Sequence, residues 1–174
     1  MEMHAEGPER DDLSPVLVSL LKLSFGFGAL IALATGIWMV AAPEGWFEVF
    51  PGSIADTGPM NVHFVRDLGG WYLALGVLLL FALTNPMRFG GVALVVSGIG
   101  LGSHASIHVS DVISGRLPPE HWVIDAPLVF APFLVVGVLT WVWWSLQRQR
   151  HQDLFGDGES EEEIEDRTAV FNDF

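Results

Sequence analysis

Side chains able to bind an ion or carry a proton gather in two short stretches of this sequence. One reads Asn61-Val62-His63-Phe64-Val65-Arg66-Asp67, and the other Ser103-His104-Ala105-Ser106-Ile107-His108-Val109-Ser110-Asp111. On a helix, His63 and Asp67 at i, i+4 share a face, with Arg66 beside them. His104, His108 and Asp111 likewise fall within about a sixth of a turn of one another. Imidazole and carboxylate suit zinc, iron and copper, and two histidines at i, i+4 can chelate one ion. An aspartate can ligate directly or hold a histidine tautomer from behind. His63, Asp67, His104, His108 and Asp111 therefore read as a transition-metal or redox-cofactor site with Arg66 as charge partner. The doubled histidine and the carboxylates fit a bare ion better than haem, which would need His63 with His104 or His108 at matched depth. Two other readings use the same residues. Histidines exchange protons near neutral pH, as a proton- or quinone-handling site requires. Alternatively, Arg66 neutralises Asp67 or Asp111, and the histidines only tie two helices of a non-catalytic scaffold together.

The elements that must position these groups are apolar. Of 174 residues, 51% are hydrophobic and 17% charged, against about 25% charged in an ordinary soluble domain. Five of the 21 acidic residues lie in residues 1–15 and nine in residues 147–174, so the net charge of −13 belongs mostly to the two ends. A soluble globular enzyme and a basic nucleic-acid binder are both excluded. Cysteine is absent, which removes disulfide exchange, thiolate metal sites and cysteine nucleophiles. There is no phosphate loop, nucleophile elbow, HExxH motif or dinucleotide fingerprint.

Crossing roughly 30 Å of hydrocarbon takes about 20 apolar residues as helix. Four runs qualify, at about 18–42, 62–84, 89–113 and 126–146. They do not alternate in polarity, which excludes barrel strands. The expectation is an all-α polytopic membrane protein: a compact four-helix bundle over 16–146 between acidic tails at 1–15 and 147–174. Asp157 to Asp166 is a like-charge run expected to be disordered. The acidic start and the length of the first run argue for a retained span rather than a cleaved signal. Asn85-Pro86-Met87-Arg88 is short, so the second and third spans form a tight hairpin. Counting about 1.5 Å of rise per residue from that turn, His63 and His108 reach nearly equal height. The small residues Ala93, Ser97 and Gly100 continue the histidine stripe, which should face the bundle while Val92, Val95 and Ile99 face away.

Lysine and arginine set the orientation. Arg10, Lys22, Arg88, Arg148, Arg150 and Arg167 share one side of a four-span chain, and Arg66 and Arg116 the other. Both termini are therefore expected in the cytoplasm, at the cell (plasma or inner) membrane. The histidine cluster, His121 and Asp125 then lie on the outer side. Trp38, Trp46 and Phe47 at the outer edge and Trp141, Trp143 and Trp144 at the inner edge form aromatic belts. Residues 43–61 are expected to lie along the outer interface as a short amphipathic segment. The lipid bilayer is the expected partner. Gly98-x-x-x-Gly102 permits close helix approach, for packing within the bundle or for a homo-oligomer. Acidic tails in a chain whose only lysine is Lys22 suit a halophile, or equally an ordinary acidic tail.

The segment Arg66-Asp67-Leu68-Gly69-Gly70-Trp71-Tyr72-Leu73-Ala74-Leu75-Gly76 resembles the second-span pattern of the DoxX-like group of small four-helix membrane proteins. There an Arg, a nearby Gly and a Leu-x-x-Gly recur. The resemblance implies a compact four-helix bundle with a role in membrane redox or small-molecule metabolism. It does not extend to the His104, His108, Asp111 stripe.

Overall fold

The computed structural model describes residues 14–51 and 54–155, without the side chains of residues 14 and 153–155. The extreme acidic tails, Asp157–Asp166 among them, lie outside the described residues. All regular structure among the described residues is helical: α1 Ser14–Ala41, α2 Pro43–Val49, a short turn Ile54–Thr57, α3 Val62–Thr84, α4 Pro86–Ile113, α5 His121–Ile124, a wide turn Ala126–Phe130 and α6 Ala131–Phe155. Four helices are long and apolar enough to cross a membrane. Their outer faces carry Leu23, Phe27, Leu30, Trp71, Ile99, Leu134 and Trp141, each at least 66% exposed. Apolar surface on that scale calls for lipid rather than water as solvent. The chain is a multi-pass membrane protein.

Helix boundaries follow local chemistry. Asn61 caps α3 by accepting the Phe64 N–H at 3.1 Å. Asn85 alone separates α3 from α4, and its side chain accepts the Arg88 N–H at 3.1 Å. The third span therefore starts at Pro86 rather than at 89, because proline tolerates the first helical position, where no N–H is needed. The fourth span reads from 126, but its α-helix proper starts at Ala131. Pro132 has no N–H to return to the preceding turn, and the Ala131 N–H reaches back five residues to the Ala126 carbonyl.

The helices pack in the order α1, α3, α4, α6, with α1 against α3 the most extensive contact. Glycine is required there. A Cβ on Gly36 would stand 2.8 Å from the Gly69 carbonyl oxygen, and one on Gly76 would stand 2.6 Å from Leu33. Leu21, Phe25, Ala29, Leu79, Ala82, Ala93, Leu94 and Leu146 fill the bundle toward the end that holds the α3–α4 turn. At the other end α2 lays Trp46 over Met39 and Val65. Along α4, Ala93, Ser97 and His108 are buried while Val92, Val95 and Ile99 are exposed, as the stripe implied, but Gly100 and His104 on that stripe are exposed.

Candidate metal centre

The chain turns back on itself immediately after α4. Gly115 adopts φ +74°, a left-handed conformation that a Cβ disfavours. The Arg116 N–H bonds the Asp111 carbonyl at 2.8 Å and the Gly115 N–H bonds the Val112 carbonyl at 3.2 Å. This paired closure is the Schellman motif of a glycine-terminated helix. Leu117, 3% exposed, anchors the returning chain. The Pro118 and Pro119 carbonyls then accept the first N–H groups of α5, whose single turn sets His121 and Asp125 four residues apart on one face. Beyond it, the Asp125 carbonyl accepts from Leu128, Val129 and Phe130. Widened turns of this sort recur at functional sites.

This return places α5 over the end of α4. His108 Nδ1 lies 2.6 Å from Asp125 Oδ2, and His121 Nδ1 lies 3.2 Å from both Asp125 oxygens. The residues are 9%, 1% and 2% exposed for His108, His121 and Asp125. One ligand atom from each lies within 4.8 Å of the other two. The set is two imidazole nitrogens and one carboxylate, buried at the end of a membrane-spanning helix. His104 stacks edge-on against His108 with ring centroids 4.6 Å apart, and is itself exposed.

A buried carboxylate is costly unless paired, and here two imidazoles face it. His121 also meets Asp56 Oδ2 at 3.3 Å through Nε2. Ionised carboxylates only accept, so a ring with a carboxylate at each nitrogen is suited to carrying both protons. Burial, the largest single influence, pulls the His121 pKa down. The hydrogen bonds and charges of Asp125 and Asp56 together outweigh it and hold the pKa above its ordinary 6.5.

The residues expected to form the site divide. His104 and His108 stand together on α4. His63 and Asp67 pair with each other at 3.4 Å, with side chains 90% and 62% exposed, outside the buried group. Asp111 accepts from Arg116 Nε at 2.7 Å, so Arg116 fills the charge-partner role expected of Arg66, which is exposed on α3. Reading the sequence missed Asp125 and His121 as members of the group. Their signal was present, because His121 and Asp125 have the same i, i+4 spacing as His63 and Asp67. An apolar groove of ≈ 740 Å³ opens elsewhere on α4, between Gly98, Gly102, Ser106, Phe130, Phe133 and Leu134.

No protein-family model matches this chain, and neither a curated protein nor a solved structure does.

Proposed function

We propose that this membrane protein binds one divalent transition-metal ion through His108, His121 and Asp125. The observation that carries the reading is the buried convergence of two imidazole nitrogens and a carboxylate within 4.8 Å of one another. Two histidines and one carboxylate make up the protein ligands of hydrolytic zinc sites and of non-haem iron(II) sites, both of which keep open positions. The two rings address a single carboxylate, which suits a point ion better than the face of a haem. Exposed His104, against His108, stands where it can meet an arriving ion. With both termini in the cytoplasm, as the lysine and arginine count argues, this site opens toward the outside of the cell membrane.

A second reading has its own support. Among the described residues the only buried side-chain nitrogen or oxygen without a partner is Trp46 Nε1. The group can therefore satisfy itself as a hydrogen-bonded staple between α4 and the third loop. Titration of chelator-stripped protein with zinc separates the two. The metal reading predicts one equivalent bound with proton release, because protons on the facing nitrogens must leave, and no binding in Asp125→Asn. A staple predicts no uptake in either protein, with only a lower melting temperature in the variant.

A further inference from the structure

His121 presents its second ring nitrogen to a carboxylate from a distant part of the chain. Nε2 lies 3.3 Å from Oδ2 of Asp56, 65 residues away on the turn Ile54–Thr57. The His121 side chain is 1% exposed, whereas that of Asp56 is 51% exposed. Nδ1 of the same ring faces Asp125. We infer, resting on the metal-site reading above, that Asp56 is the positioning residue of the site. It accepts the Nε2–H of His121 and so assigns Nδ1 to the ion.

In such a relay the outer carboxylate fixes the tautomer and orientation of the ring and raises the basicity of the ligating nitrogen. An enclosed imidazole has little access to water as a substitute acceptor, so the tautomer rests on the protein group that Nε2 meets. The turn that delivers Asp56 is built for its place. Thr57 Oγ1 donates to the Ile54 carbonyl at 2.7 Å. Ile54 packs on the cluster of Met39, Trp46 and Val65. Among the described residues Asp56 stands outside the group of His108, His121 and Asp125 and meets the His121 ring, so its role is to position and not to ligate. Occupancy by an ion is then coupled to the first outer loop as well as to the third.

Zinc affinity of the chelator-stripped full chain in detergent tests this, measured for the wild type, Asp56→Ala, Asp56→Asn and Thr57→Ala. The expected result is one site in the wild type and a Kd about 10- to 100-fold weaker in Asp56→Ala, with the stoichiometry kept. Asp56→Asn, whose amide oxygen still accepts the Nε2–H, should recover part of that loss. Thr57→Ala, which loosens the turn without touching His121, should bind as the wild type does. Wild-type affinity in Asp56→Ala overturns the positioning role and leaves the metal site standing. A loss in Thr57→Ala as large as in Asp56→Ala assigns the effect to loop support and overturns it too. A wild type that takes up no zinc overturns the metal reading itself.

Discussion

His121 is the residue on which the chemistry turns. Enclosed in protein, it faces Asp125 through one nitrogen and Asp56 through the other, and these carboxylates hold its pKa above 6.5 against the opposing pull of burial. A group with a raised folded-state pKa contributes stability that is fully present below its unfolded value, about 6.5. That contribution is lost as pH rises through the folded value. Metal-free protein should accordingly show a falling melting temperature as pH climbs above about 6.5, and His121→Gln should flatten this slope. A wild-type profile that rises over the same window contradicts the assignment. His108 was legible from the sequence, since the buried stripe Ala93, Ser97, His108 follows helical periodicity. His121 and Asp125 carried an equally plain i, i+4 spacing, but they sit between prolines outside any apolar run. What brings them over His108 is the left-handed turn at Gly115, a three-dimensional return that periodicity does not encode.

At the scale of the element, glycine decides which way α3 faces. Gly36 on α1 and Gly69 and Gly76 on α3 let the two helices approach until a Cβ would collide. Gly69 and Gly76 fall on one face of α3, and Asp67 lies roughly opposite them at about 100° per residue. Seating the glycine face on α1 therefore turns His63 and Asp67 outward, whatever their ligand chemistry. Spacing made their shared face legible; the rotation of the helix about its axis depended on packing against α1. Close packing against α1 thus accounts for Gly69 and Gly76. Gly36→Ala meets the backbone of Gly69 and Leu73 as well as the Leu73 side chain, and the backbone cannot yield as a side chain does. It should destabilise the bundle by about 1–3 kcal/mol, seen as a lower denaturation midpoint in detergent. Gly70→Ala, with nothing within 4 Å of the added carbon, is the control for helix propensity alone and should be neutral to slightly stabilising. Equal stability of Gly36→Ala and the wild type would mean that α1 and α3 are further apart than described.

Across the whole molecule, one end is apolar packing and the other is polar. At the end of the α3–α4 turn, the core of Leu21, Phe25, Leu79, Ala82, Leu94 and Leu146 holds the four helices. Trp143 Nε1 donates to the Pro86 carbonyl at 2.9 Å and Gln147 Nε2 to the Met87 carbonyl at 2.8 Å, fixing α6 to the hairpin turn. The opposite end collects His63, His104, His108 and His121, their aspartates and both longer loops. The four spans were legible because continuous apolar length is a one-dimensional property; of the buried group only His108 was legible, because His121 and Asp125 arrive by a loop. A reporter fused to the C-terminus should be found in the cytoplasm, opposite the site, and a reporter exposed outside the cell would reverse the proposed sidedness.

Whether His108, His121 and Asp125 hold an ion is decided by elemental analysis of protein purified without chelators, with Asp125→Asn purified alongside. One transition-metal ion per chain is expected in the wild type and none in Asp125→Asn. A wild type without stoichiometric metal, or a variant that keeps it, would mean that these three residues hold no ion.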